Sequence, residues 1–290
     1  MMKYNYVKDY KNNDKLREGF NELAKKIHQI DFTDWYNNGF WREKYIPYSF
    51  FDGEKAIANI SVNLMDFKMD GIEKHYIQIG TVMTDEDYRN LGLSRSLMEE
   101  IIHEYKDKVD GIYLFGNDTV LDFYPKFGFK KIREYQYIKD IDSSDNIEKI
   151  QHIDMADKVN WQHFFNILEN SVSNDRFNVD NFGLVAFWTT GWLNNCVYYL
   201  PEEKAYIIAE VNEEVLEIYQ VIAECRIDLE TVISSFGNKI KKVVLGFTPY
   251  DEVGYTVKEL QKEDCTLFIL GEDLEEIEKK KLIFPALSHA

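Results

Sequence analysis

The sequence is poor in residues that staple a chain or carry it across a membrane. Its three cysteines, Cys196, Cys225 and Cys265, form no C-x-x-C pair. That argues against a disulfide framework or a zinc site and fits a reduced cytoplasm. No stretch approaches the roughly 18 apolar residues of a membrane-spanning helix, and Met1–Lys8 holds no apolar core of the signal-peptide kind. Positive charge is also scarce: 34 Lys and Arg stand against 51 Asp and Glu, a formal net charge of -17. Such a surface repels nucleic-acid backbones and anionic lipid, so neither is an expected partner, and it attracts small cations. Core-forming residues are plentiful: 45% of the 290 residues are apolar and 15% aromatic. Disordered, collagen-like and low-complexity classes are excluded, and the length suggests two domains.

The polar, turn-prone stretch Lys139–Asn146 sets the expected boundary, giving domains 1–142 and 143–290. In the first, Asp14–Gln29 has helical apolar spacing with Asp14 as the expected N-cap. After an aromatic-dense segment, Asp31–Trp41, strands are expected at Tyr45–Phe51, Lys55–Phe67 and His75–Met83. The period then changes. From Gly92 to Lys108, Leu93, Leu97, Met98, Ile101 and Tyr105 fall on one stripe, which predicts a helix. A strand at Gly111–Gly116, a short helix at Thr119–Lys126 and a strand at Phe129–Ile138 complete the half. Strands followed by strand–helix–strand imply a mixed α/β sheet with a parallel crossover, in the α+β class. The second domain repeats the plan loosely. Strands are expected at Leu184–Phe187, Cys196–Leu200, Lys204–Val211, Glu214–Ala223, Lys242–Phe247 and Thr266–Leu270, and a helix at Asp228–Phe236.

Chemistry concentrates in Gly80–Met98, where a strand feeds a turn and the turn feeds a helix N-terminus. Such a terminus presents unpaired N–H groups and about half a positive charge, a setting that binds phosphate. Gly92 permits close main-chain approach, and Arg89 and Arg95 add charge. The run Tyr88-Arg89-Asn90-Leu91-Gly92-Leu93-Ser94 resembles the acetyl-CoA pyrophosphate loop of the GNAT N-acetyltransferase superfamily, Q/R-x-x-G-x-G/A, with Ser94 where Gly or Ala is usual. Asn117–Phe129 is similar to that family's N-x-x-A-x-x-x-Y-x-x-x-G-F segment, and the two occur in family order.

The resemblance implies two GNAT-like domains in tandem, each a mixed, mostly antiparallel sheet with flanking helices. Backbone groups of Val82, Met83 and Thr84 would pair with the pantetheine arm of acetyl-CoA. Amides from Asn90, Leu91, Gly92, Leu93 and Ser94, with Arg89, would hold the pyrophosphate, and Asn117 would contact the arm. Tyr124 would protonate the departing thiolate, and no metal is needed. Where many relatives carry a Glu this strand has Gln78, which could hold a water or the acceptor. Asp34, Glu43, His75, a water chain or an acceptor arriving as free amine remain as sources of the base. The acceptor side is expected from Asp34, Trp35, Tyr36 and Trp41 with their aromatic neighbours, which suit an amine and equally suit core packing.

The second domain has no glycine at its matching junction, Val221–Glu230, and carries Glu224, Asp228 and Glu230 there, so no CoA site is expected. Gly183–Trp192 could line the acceptor cleft or pack in the core. The resulting expectation is a cytoplasmic, more readily monomeric than dimeric, acetyl-CoA-dependent N-acetyltransferase for a small amine. A non-catalytic acetyl-CoA sensor is the alternative, and peptide acetylation a third reading.

Overall fold

The computed structural model describes residues 4–289. In chain order the first half contains β1 (Asn5–Lys8), α1 (Asp14–His28), α2 (Thr33–Asn37), β2 (Tyr45–Asp52), β3 (Lys55–Met69), β4 (Ile72–Thr84), α3 (Leu93–Tyr105), β5 (Gly111–Gly116), β6 (Lys130–Lys131) and β7 (Tyr135–Asp140). There follow β8 (Gln151–Ile153), α4 (Trp161–Glu169), β9 (Phe177–Asp180), α5 (Phe182–Thr190), β10 (Val197–Leu200), β11 (Ala205–Asn212) and β12 (Val215–Ile222). The chain ends with α6 (Leu229–Ser234), β13 (Lys242–Leu245), β14 (Thr256–Glu259), β15 (Thr266–Leu270) and α7 (Glu276–Lys279).

The strands form two sheets with one and the same plan. The first runs β1-β2-β3-β4-β5-β15-β6, with β9 paired to the far end of β3; the second runs β8-β10-β11-β12-β13-β7-β14. In each, the fourth and fifth strands are parallel and all other neighbours along the path antiparallel. The sixth position of each sheet is filled from the other half of the chain. β15 lies between β5 and β6 with Thr266 opposite Gly116, and β7 lies between β13 and β14 with Tyr137 opposite Leu245.

A cut between residues 142 and 143 therefore does not divide the sheets. The single strand expected at Phe129–Ile138 is two, one in each sheet, and the chain changes sheets at Ile132-Arg133-Glu134. Arg133 is held there by Glu278, and the buried Glu134 carboxyl accepts the N–H of Phe284 at 2.8 Å. The exchange leaves each half dependent on the other for the strand next to one edge of its sheet.

Other expectations shift for local reasons. Asn13, not Asp14, caps α1, its side chain accepting from Leu16; Asp14 pairs instead with Arg17 one turn on. Thr119–Lys126 forms two single 3₁₀ turns, Asp118–Val120 and Tyr124–Phe127, the second ended by Gly128 in the left-handed region. Leu184–Phe187, expected as a strand, lies inside α5, capped by Asn181. A short apolar run without alternation suits a buried helix as well as a strand, and periodicity cannot separate them. The first sheet packs α3 on one face through Ile77, Ile79, Leu97, Met98 and Leu114, while Phe67, Tyr113, Phe177 and Phe284 fill the other face. Among the described residues no helix is long and apolar enough to cross a membrane.

Candidate active site

The site begins where two strands part. β4 and β5 pair from Tyr76 opposite Gly111 to Ile79 opposite Leu114; beyond that β4 continues to Thr84 and β5 to Gly116 without each other. A bulge diverts β4: its register with β3 slips between Asn59 and Ser61, and Thr81 takes a left-handed φ of 48°. That conformation costs a β-branched residue on the order of 1 kcal/mol or more, so something must hold it. Asn59 Nδ2 donates to the Thr81 carbonyl at 2.8 Å, and the Thr81 hydroxyl meets the Tyr45 hydroxyl at 2.9 Å. Tyr45 continues through Ser61 to Asn59, and Asn59 to Ser49 and Tyr10, a buried chain of hydrogen bonds beneath the bulge. Of the main-chain groups expected to meet pantetheine, the Val82 carbonyl already has a partner in the His28 ring at 3.3 Å.

Past the bulge the chain is built to leave a helix end open. Thr84 and Ser94 join hydroxyl to hydroxyl at 2.6 Å, tying strand to helix. Asp85 is buried and caps the turn Glu86–Tyr88; burial pushes its carboxyl up, but Lys55 and Lys26 hold it down to about 2. Asn90 and Gly92 both have left-handed φ, 63° and 76°, and Gly92 occupies the N-cap of α3 with no side chain bonded to the helix amides. A Cβ on Gly92 would touch nothing within 4 Å, so the glycine serves the backbone turn and open space lies above it. Arg89 and Arg95 stand half-exposed, each no nearer than 3.8 Å to a carboxylate. Uncapped amides, helix dipole and two loosely paired guanidinium groups favour an anion here. Asn117 is exposed just past β5, and Tyr124 is buried against Gly116. A Cβ on Gly116 would come within 3.0 Å of the Tyr124 ring and 3.2 Å of Phe268, which the exchanged β15 supplies. Burial pushes the Tyr124 phenol up to about 12.

Residues 12–129 match the acetyltransferase (GNAT) family.

The whole chain is similar in fold to solved GNAT-type structures. A conserved protein of unknown function from Enterococcus faecalis V583, described as a probable N-acyltransferase, has a TM-score of 0.58 at 15% identity, over 96% of this chain and 74% of its own. A GCN5-related N-acetyltransferase from Kribbella flavida gives 0.56 at 13% identity, over 93% and 72%. One from Anabaena variabilis gives 0.52 at 12%, over 91% and 72%. At these identities the likeness speaks for the fold. No curated protein matches the sequence.

On the face of the first sheet away from α3, the splay opens toward a cavity of about 220 Å³. The first half lines it with Phe32, Trp35, Tyr45 and Thr81; the second half supplies Leu184, Phe187, Trp188, Trp192 and His289. A second cavity of about 310 Å³ shares Trp35, Tyr45 and Leu184 and adds Glu43, Asn63 and Asp180. Of the five acceptor-side residues expected from sequence, Trp35 alone reaches these walls. Tyr36 and Trp41 line a separate cavity of about 350 Å³ beside α1, where Arg17 stacks on Tyr36 at 3.7 Å. Asp34 is exposed and lines none of the three, and Gln78 is 1% exposed between Asn63 and Tyr113. The other proposed bases already have partners: exposed His75 bonds Asp66, which raises its pKa, and Glu43, on the wall of the second cavity, pairs with Lys11. Sequence had pointed to Phe187, Trp188 and Trp192 as wall or core; Thr81 and His289 carried no signal.

The matching junction of the second sheet is closed by the chain itself. β12 and β13 pair from Val215 opposite Lys242 to Ile218 opposite Leu245 and then separate. Residues 172–176 bridge the gap: Val172 N–H reaches the Ala223 carbonyl, Asn174 Oδ1 accepts from Ile227 N–H, and Arg176 N–H reaches Thr248. α6 is six residues long, and its first turn is capped by the Asp228 carboxylate.

Proposed function

We propose that the chain is an acetyl-CoA-dependent N-acetyltransferase with one cofactor site, in the first sheet, and a small primary amine with an apolar or aromatic body as acceptor. One observation carries the reading: the β4–β5 splay has an uncapped helix N-terminus on one face, an apolar cavity on the other and Tyr124 at its β5 end. Arg89 and the Asn90–Ser94 amides would hold the pyrophosphate, with Val82–Thr84 and Asn117 along the arm. Acetyl-CoA supplies the acetyl group as an activated thioester. Tyr124 keeps its proton across the working pH range and would donate it toward the departing thiolate. The cavity is smaller than the roughly 300–1,000 Å³ of drug-sized sites, and its indoles favour an ammonium group through cation–π attraction. No carboxylate lines it, which disfavours a polyamine.

The plugged second junction supports a silent second half that helps build the acceptor wall. Three unpaired thiols and the acidic surface support a cytoplasmic protein without nucleic-acid or membrane partners, and the internal pairing of two like sheets favours a monomer.

The test is calorimetric titration of acetyl-CoA into wild type and Gly92→Glu. One site per chain, abolished by the substitution, is expected; no binding to wild type removes the reading. A sensor that binds acetyl-CoA without turnover is the second reading, favoured by the absence of Asp34, Glu43, His75 and Gln78 from the apolar cavity. Acetyl-CoA consumption with 2-phenylethylamine, tryptamine and spermidine separates the two.

A further inference from the structure

None of the bases expected from sequence lines the apolar cavity, yet two titratable side chains do: Tyr45, whose burial pushes its phenol up to about 12 and whose hydroxyl is taken up by Ser61 and Thr81, and His289. His289 lines its wall together with Thr81, the bulge residue at the mouth of the splay. The C-terminal segment brings it there by an ordered route. Phe284 stacks on Tyr113 with centroids 4.2 Å apart, and His289 stacks on Phe115, two residues further along β5, at 3.8 Å and 14° between planes. Trp188 Nε1 donates to the His289 carbonyl at 3.0 Å, and His289 Nδ1 faces the Cys265 thiol at 4.0 Å. Ring face, main chain and one nitrogen are thus fixed from three elements, and Nε2 has no protein partner among the described residues.

Resting on the acetyltransferase reading, we propose that His289 is the general base that takes the proton from the acceptor amine. The amine nitrogen forms the C–N bond to the thioester carbonyl carbon, and its proton passes to His289 Nε2. The C–S bond breaks with its electron pair on sulfur, and Tyr124 donates a proton to the thiolate. Return of one proton from imidazolium to phenolate, through solvent, restores both groups, so amine and thioester give amide and thiol with nothing left over. Geometry places the two groups on opposite walls of the splay: His289 is stacked on Phe115 of β5 on the cavity side, and Tyr124 lies against Gly116 on the α3 side. Burial, aided by Lys262, lowers the His289 pKa to about 3, so the imidazole arrives neutral but is a weak base until charge develops beside it. The charge it acquires forms as negative charge appears on sulfur, and the pair offsets part of the cost of burial. Cys265, its own pKa raised by burial, is the other titratable group facing the ring.

The test uses the full chain with acetyl-CoA and 2-phenylethylamine, tryptamine and spermidine as acceptors. His289→Gln and His289→Ala are each expected to lower kcat about 100-fold or more, within the range of general-base catalysis, with acetyl-CoA affinity within twofold of wild type. Imidazole at millimolar concentration should restore His289→Ala at least fivefold, a rescue that a packing defect would not show. In ¹⁵N-histidine spectra, the His289 signal should shift when 2-phenylethylamine binds. His289→Gln turning over within threefold of wild type, absent rescue, or an unmoved His289 signal would each overturn the base while leaving the transferase standing. A wild type that binds acetyl-CoA but acetylates none of the three amines removes the transferase reading, and the base with it.

Discussion

The chain contains the same junction twice, and the two copies differ in what fills the gap between their parting strands. In the first, β4 and β5 separate after Ile79 and Leu114, Gly92 leaves the α3 amides uncapped, and cavity space lies beyond Thr81. In the second, residues 172–176 cross the gap and Asp228 caps a six-residue helix with its own carboxylate. Equal strand order therefore does not carry equal chemistry. On the proposed reading, what would separate an anion site from an inert corner is whether main-chain donors at the splay are left for a ligand or used by the protein.

The sharpest way to break this contrast is to make the first junction resemble the second. Gly92→Glu forces a side chain into a φ of 76° and puts a carboxylate near the pyrophosphate position. One opposed charge at contact distance is worth about 1–4 kcal/mol, so the acetyl-CoA Kd should rise about 5- to 1,000-fold in calorimetry. An unchanged Kd would mean that the junction is not the site. Tyr124→Phe probes the other wall. Its ring packs on Gly116 and Phe268, and only the hydroxyl is lost, so turnover should fall about 100-fold or more with acetyl-CoA affinity retained. Equal turnover would assign Tyr124 to packing alone.

How much of this was legible follows from how local each feature is. The strand–turn–helix around Gly92 and the Asn117–Phe129 segment are written in contiguous residues, and their elements appear close to where periodicity put them. The exchange of β7 and β15 is not local. Tyr135–Asp140 and Thr266–Leu270 read as strands whichever sheet they join, and no residue in either names its neighbour. Which aromatics line the cavity beside the splay was not legible for a related reason. Trp35, Tyr36 and Trp41 lie within seven residues, but α2 and the turn after it send Trp35 toward the splay and Tyr36 and Trp41 toward α1. His289 reaches the splay only because Phe284 stacks on Tyr113 and His289 on Phe115, holding the C-terminal segment on β5 through contacts between distant residues.

The crossover shared by both halves supplies a pH test. Burial pushes the Glu134 carboxyl up to about 7, against an ordinary value of 4.5. The native state then binds the proton more tightly than the unfolded chain. That contribution is complete below about pH 4.5 and is lost as pH rises through 7, so stability falls across this window. Glu134→Gln keeps an acceptor for the Phe284 N–H and cannot ionise. At about 1.4 kcal/mol per pKa unit, it should raise stability by about 3 kcal/mol at pH 8 relative to wild type and change the difference little below pH 4.5. Parallel urea curves for the two proteins at both pH values would refute the buried, protonated crossover.

The smallest expected effect comes from opening the second junction. Asn174 is 5% exposed and its Oδ1 accepts the Ile227 N–H at 2.8 Å, so Asn174→Ala strands a buried donor at the point where the plug meets the β12 exit. A lost buried partner costs about 1–3 kcal/mol, a decrease readable as a lower urea midpoint. Acetyl-CoA stoichiometry should stay at one per chain, because α6 still begins with the Asp228 carboxylate and no left-handed glycine turns its amides outward. A second acetyl-CoA site appearing in this variant would show that residues 172–176 alone keep the second junction silent. Stoichiometry held at one assigns the silence to the helix terminus as well, making the loss of Gly92's counterpart as decisive as the plug.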